Sequence, residues 1–353
     1  MPPSRLPGLD ALRTVAVVLV IGHHLPPPPA DWPAYGLFLA WHRGGWVGVD
    51  LFFVLSGFLV SGLLFTEFRA TGHISPARFY VRRWWRIYPP LLYLTVISTV
   101  YALALGGDVP DIRRRMWAEL LFVQNFVSGL WLHTWSLAVE EHFYLLLPPT
   151  LWLLLRRRGA VLCTAGAVGF ACLGLRVLTA TLWAYNPATH VYPTYLRLDG
   201  LWLGVALSYL YHGDHARIRR WAPWSVVLLV AGVALLVPVF LVPLDAPAIY
   251  TVGFTVSALA GAFLVVGALL APFPSVLQPL ATIGALSYSI YLWHMPVLTW
   301  VLPWLPGSPT TVAGFGLRLG VGVAGSIVVG LVMAHAVERP ALAIRDRWWP
   351  ART

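Results

Sequence analysis

Arg13 and His24 stand eleven positions apart in the apolar run GLDALRTVAVVLVIGHHL, residues 8–25. A guanidinium can hold an anion or offset developing negative charge, and an imidazole can take a proton from a weak nucleophile. At about 100° and 1.5 Å per helical residue, eleven steps return to within about 20° of the same face, about 16 Å along the axis. His23 points about 100° away. Charged side chains at mid-depth in lipid cost about 2.5–3.5 kcal/mol or more, so aligning these two needs a reason. One reason is a polar cavity running along the helix. The plainer one is an ion pair gluing helices together, with a histidine at the interface.

Other polar groups fall in similar runs. In GGWVGVDLFFVLSGFLVSGLL (44–64), Asp50 enters at a helix start, where the dipole favours a carboxylate, and the glycines suit close packing against a neighbour. FYVRRWWRIYPP (79–90) reads as a loop that interleaves Arg82, Arg83 and Arg86 with Trp84, Trp85 and Tyr88. It fits an interfacial anchor or a phosphate site, since arginine forks bind phosphate in bidentate fashion and aromatics stack on a nucleobase. LHTWSLAVEEHFYLLLP (132–148) carries Glu140, Glu141 and His142, expected just inside the outer boundary. On a helix these three fan over about 200°, so at least one must face the interior. YLRLDGLWLG (195–204) holds Arg197 and Asp199, read as a buried pair or as bonds to another helix. LSYSIYLWHMP (286–296) places Tyr288, Tyr291 and His294 three residues apart on one face, and AVERPA (336–341) ends its span at Glu338 with a proline stop.

These residues need elements to position them. The chain of 353 residues is 58% hydrophobic and only 11% charged, with a mean hydropathy of +0.73. A soluble domain is nearer 25% charged, so the expected class is all-α, a polytopic transmembrane helical bundle. Spans of about 20 apolar residues are read at 9–25, 46–66, 89–106, 136–155, 160–183, 196–212, 223–243, 248–271, 281–302 and 311–337, ten in all. The marginal stretch 117–132, with Glu119, Gln124 and Asn125, is expected to be a partial or re-entrant helix buried in protein. A bundle over 1–340 and a short basic cytoplasmic tail over 341–353 complete the organisation, with no repeat or composition break between them.

Charge sets the polarity. The net charge of +10 is wholly arginine, since the chain has no lysine, and that excludes Schiff-base chemistry and a lysine nucleophile. With both termini cytoplasmic, the inside segments 1–8, 67–88, 156–159, 213–222 and 338–353 hold sixteen arginines. The outside loops hold four, Arg43 and Arg113 to Arg115, and this asymmetry fixes the orientation. A full span at 117–132 would turn Arg156 to Arg158 outward and is rejected. Orientation explains the basic excess, so no nucleic-acid partner is expected. Cys163 and Cys172 share one apolar segment without CxxC spacing or histidine companions, which argues against a metal site or a disulfide. The N-terminal run has no small-residue cleavage site after it and is read as retained.

Together the motifs resemble the acyltransferase-3 family of integral membrane acyltransferases. The resemblance runs in order through Arg13 and His24, GVDLFFVLSGFL (48–59), Arg83 and Arg86, WSLAVEEHFY (135–144), RLDGLWLG (197–204), SYSIYLWH (287–294) and VERP (337–340). It implies a ten-span enzyme of a bacterial inner membrane that takes an acyl group, usually acetyl, from acyl-CoA. The implied acceptor is a hydroxyl on a surface glycan, a lipid-linked sugar or a glycosylated metabolite, a modification of the cell envelope in the first two cases. By the same resemblance His24 is catalytic with Arg13 its companion, and Glu140, Glu141 and Glu338 are essential polar groups. Arg83 and Arg86, with Tyr88 beside them, would meet the donor's phosphates; no metal is implied.

The chemistry fits. An alcohol needs a positioned base to attack a thioester, and a carboxylate such as Glu140 or Glu141 is expected to fix the tautomer of His24. Arg13 would orient the donor or offset charge at the thioester oxygen. There is no Gly-x-Ser-x-Gly elbow, so a serine acyl-enzyme is not expected. Some family members carry a further hydrolase-like domain beyond the bundle. Without one in these residues, transfer would be finished by the bundle or by a separate extracytoplasmic partner protein. The competing class is a transporter for a glycan or acylated small molecule, which would favour inverted repeats and paired broken helices, and no such pair is read here.

Overall fold

The computed structural model describes residues 6–157 and 159–349, and Arg5, Arg158 and Arg352 of the arginine count lie outside them. The described chain is all-helical, with no strand among these residues. The elements are α1 (Pro7–His24), α2 (Tyr35–Gly44), α3 (Val47–Thr71), α4 (Pro76–Ala104), α5 (Val109–Leu120) and α6 (Trp135–Leu154). The middle of the chain supplies α7 (Ala160–Leu182), α8 (Pro187–His190), α9 (Leu198–Gly213), α10 (His215–Arg219) and α11 (Ser225–Leu241). Then come α12 (Phe254–Leu270), α13 (Gln278–Gly284), α14 (Ser287–Pro296), α15 (Val312–Met333) and α16 (Arg339–Trp348).

Six helical segments are long and apolar enough to cross a membrane: Val47–Thr71, Pro76–Ala104, Ala160–Leu182, Ala222–Leu241, Ile249–Leu270 and Val312–Trp348. This makes the chain an integral membrane protein. The other four segments read as spans are helical but fall short, for a shared reason. α1, α6, α9 and α14 carry Arg13 and His24, Glu140 and Glu141, Asp199, and Tyr288 to His294, groups that lower mean hydropathy or accompany a shorter helix. Of the more apolar helices, α4, α7, α11 and α15 leave most of their surface facing outward.

α3 is the most enclosed of the long helices, and it lies between α1, α9 and α12. Glycine sets its distance from α9. A Cβ on Gly57 would stand 2.0 Å from the Leu201 carbonyl oxygen, and one on Gly204 would stand 2.2 Å from that of Val54. The two backbones therefore touch, which is the close packing expected of this stretch. α3 stops at Gly72, whose φ of +73° suits the left-handed cap, and α4 restarts at Pro76 in its first turn.

Three sequence expectations are corrected here. Residues 79–90 are helical, because Pro76 starts α4 early and Pro89 and Pro90 cost that helix amide donors without breaking it. The stretch 117–132 is neither a span nor one partial helix. α5 ends at Leu120, and an irregular connection follows over 121–130, with only Gln124 and Asn125 buried, held where Glu119 accepts from the Leu130 amide at 3.2 Å and Gln124 donates to the Thr134 carbonyl at 3.0 Å. Finally, Pro340 does not stop the last span. A wide turn over Ala334–Glu338 leads into α16, where proline occupies the first turn and needs no donor. The segment read as a tail is thus helical to Trp348, and Arg82 holds its end by bonding the Trp349 carbonyl at 2.8 Å and pairing with Asp346 at 3.5 Å.

Candidate active site

One cavity, of about 770 Å³ with its open mouth included, gathers polar groups from five helices. α1 contributes Arg13, α3 Ser56, α4 Arg83 and Arg86, α6 Ser136, Glu140, Glu141 and Tyr144, and α14 Ser287, Tyr288 and Tyr291. The helical conformation of 79–90 explains the arginines: Arg83 and Arg86 lie three apart on one face, while Arg82 turns to α16.

Each charge is held differently. Arg13 bonds Asp10 at 3.0 Å. Arg83 lies 3.9 Å over the Tyr144 ring, a cation–π contact that leaves its fork available. Arg86 stands 3.9 Å from Glu338, whose other oxygen accepts from Ser289 at 2.6 Å, so Glu338 acts from behind the wall. Glu140 accepts from Ser56 at 3.0 Å and from Tyr144 at 2.7 Å. The Oε1 of Glu141 is enclosed with no bonding partner among the described residues. Both carboxylates therefore share the chamber with Arg83 and Arg86. His142 turns away, 2.7 Å from Thr194 Oγ1.

Tyr88 is not among the residues lining this cavity. It stacks on Trp84 with ring centroids 5.5 Å apart and donates to the Leu120 carbonyl at 2.9 Å, tying α4 to α5. Tyr288 donates to the Ile87 carbonyl at 2.7 Å, joining α14 to the arginine helix.

His24 is not among the lining residues either, although Arg13 is. Ser136 and Tyr291 come between, with their hydroxyls 2.6 Å apart and that of Tyr291 donating to the His133 carbonyl at 2.6 Å. Beyond them a row of histidine rings crosses from the turn before α6, through α14, to α1. His133 and His294 have centroids 4.9 Å apart, His294 and His24 5.0 Å, and His24 and His23 5.2 Å. The carboxylate expected beside His24 is replaced by another imidazole: its Nδ1 faces the Val20 carbonyl at 2.9 Å and His294 Nε2 at 3.3 Å. Glu140 and Glu141 stay on the cavity side of Tyr291.

Asp50, Arg197 and Asp199 form a separate buried network. Arg197 bonds Asp50 on α3 and lies 3.7 Å over the Phe254 ring, while Asp199 pairs with Arg176 on α7 at 2.6 Å. Of the two readings offered by the sequence, bonds to other helices are the ones made, and both serve packing. Arg176 was not singled out from sequence, though it is the sole charge within the apolar run of α7. His133 was also missed; nothing local marks it, because its role depends on α14. Cys163 and Cys172 are free thiols. Among the described residues no group of three or more histidine, cysteine or acidic side chains is disposed to hold a metal.

The fold and cavity define a class: a polytopic helical membrane protein with arginines and carboxylates converging on a polar chamber with an open mouth. A family model described as an acyltransferase domain matches residues 6–335, and the chain belongs to the acyltransferase-3 family. Among its relatives is O-acetyltransferase OatA of Staphylococcus aureus (strain NCTC 8325 / PS 47), 30% identical over 334 residues, covering 85% of this chain and 51% of that protein. The putative O-acetyltransferase SACOL0978 of Staphylococcus aureus (strain COL) is 29% identical over 330 residues, covering 84% of this chain and 51% of its own. The chain thus spans about half the length of the curated relatives it matches. No solved structure matches.

Proposed function

We propose that this chain is a membrane-embedded O-acyltransferase that moves an acetyl group from acetyl-CoA to a hydroxyl of a sugar-containing acceptor, with His24 as general base. The observation that carries the reading is the division of labour across Tyr291. On one side, Arg13, Arg83 and Arg86 give a chamber suited to a polyphosphorylated donor; on the other stands an imidazole with the geometry of a base. The names of the relatives, both O-acetyltransferases, point to acetyl transfer to oxygen.

In this reading the chain spans the membrane ten times with both termini in the cytoplasm of a bacterial inner membrane. The chamber then opens to the cytoplasm, where acyl-CoA is available, and the His24 end faces outward. Arg83 and Arg86 bind donor phosphates, and Glu140 and Glu141 stay with the donor, able to accept from its amide groups. Tyr88 supports the helix that carries the arginines. His24 removes the hydroxyl proton as the oxygen attacks the thioester carbon, the carbon–sulfur bond breaks, and the departing thiolate takes the proton. Arg13 orients the donor. An extracytoplasmic partner protein can accept the acyl group in place of a small sugar.

The test is release of coenzyme A from radiolabelled acetyl-CoA, with label followed into an extractable glycan or metabolite, in membranes holding equal amounts of wild type and His24→Ala. A positioned acid–base group contributes about 10²–10⁴-fold, so the variant is expected to lose that much. Equal release from both proteins removes His24 as the base. No release from either protein, together with no donor binding, would instead favour the transporter reading.

A further inference from the structure

His24 has no carboxylate to orient it, yet its ring is not free to turn. Its Nδ1 lies 2.9 Å from the Val20 carbonyl oxygen, which can only accept, so Nδ1 carries the hydrogen. The same Nδ1 lies 3.3 Å from His294 Nε2. His294 is constrained in turn: its Nδ1 faces the carbonyl of Tyr291, one helical turn earlier, and must also be the protonated nitrogen. That leaves His294 Nε2 as an unprotonated acceptor aimed at His24. The two tautomers are mutually consistent and leave the lone pair of His24 on Nε2. No described group bonds Nε2, and it is not among the enclosed polar atoms that lack a partner. His294 is fully buried and His133, packed edge-on against it, is 1% exposed, whereas His24 keeps part of its surface accessible.

We propose that His294 is the positioning residue of this active site: an imidazole, in place of a carboxylate, that fixes His24 with Nε2 as the base and shares the proton His24 takes up. The inference rests on the reading of His24 as general base and names its partner. When the acceptor O–H bond breaks, the proton goes to His24 Nε2 and the oxygen bonds the acyl carbon. The His24 imidazolium then donates through Nδ1 to His294 Nε2, which spreads the new charge toward the buried ring. As the carbon–sulfur bond breaks, the thiolate recovers the proton from Nε2, and both rings return to their starting tautomers. A neutral acceptor suits this site because a carboxylate here would be a buried charge paired only during the reaction.

The experiment compares His294→Ala, His294→Gln and His24→Ala in the full chain, reconstituted at equal abundance, with kcat and KM for acetyl-CoA measured separately. His294→Ala is expected to lower kcat by about 10²-fold while KM stays within about twofold, because the donor chamber lies beyond Tyr291. His294→Gln, whose amide oxygen can accept from Nδ1, should recover part of the loss. Full kcat in His294→Ala beside an inactive His24→Ala overturns this inference and leaves the base reading standing. An active His24→Ala overturns the base reading and this inference with it. A parallel rise in KM and equal losses in the Ala and Gln variants would mark His294 as mere packing and overturn the proposal. A measurement on the wild type covers failure of the variants to fold: diethylpyrocarbonate, read by mass spectrometry, should modify His24 and spare His294. Modification of His294 at the rate of His24 would overturn the proposal too.

Discussion

Arg83 and Arg86 illustrate how far single residues could be interpreted before the fold was known. Their types and spacing left a membrane anchor and a phosphate site equally open; the helix through 79–90 turns these two into the chamber and Arg82 onto α16. Removing a hydrogen bond to a charged group costs about 1.5–3 kcal/mol, or about 10–100-fold in affinity. Arg83→Ala and Arg86→Ala should therefore raise KM for acetyl-CoA by that factor. KM for S-acetyl-pantetheine, which lacks the nucleotide phosphates, should barely change, and the two donors assayed side by side check this. The partner of His24 was not legible. Its tautomer depends on His294, 270 positions away, and no local pattern predicts which imidazole or carboxylate will arrive there.

Individual helices were legible in proportion to how apolar they are. Four of the six that stand out by length and composition, α4, α7, α11 and α15, lie toward the outside, and the less lipid-like α1, α6 and α14 carry most of the polar groups of the site. Periodicity therefore finds the scaffold more easily than the site. Helix ends were misjudged where proline was taken as punctuation. Pro340 lies in the first turn of α16, where a missing donor matters less, while Pro89 and Pro90 sit inside α4, which continues through them. The α3–α9 contact shows the energetics of this scaffold. Backbones brought together at Gly57 and Gly204 place Asp50 against Arg197 out of solvent. Leaving one member of a buried pair costs about 3–5 kcal/mol, more than an apolar replacement of both. Asp50→Asn should thus lower the melting temperature in detergent sharply, while Asp50→Leu combined with Arg197→Met should restore much of it.

For the molecule as a whole, the arginine asymmetry predicts which face is which. In a variant with Cys163 and Cys172 replaced by serine, a cysteine placed at Ala30 should react with a membrane-impermeant maleimide added outside intact cells. One at Ala216 should react only after permeabilisation. Labelling at both positions from outside would overturn the proposed ten-span topology with cytoplasmic termini.

The bond between Ser136 and Tyr291 has one more consequence. It lies where a chamber open to one compartment would otherwise meet a histidine row leading toward the other. A continuous water thread along that route would be a conductance, and protons would run down the membrane potential whenever the enzyme stood idle. In the proposed topology, two hydroxyls bonded together and backed by the His133 carbonyl would break such a thread and keep the resting protein electrically tight. In that reading the acyl group would change sides without the cell's ion gradients following it.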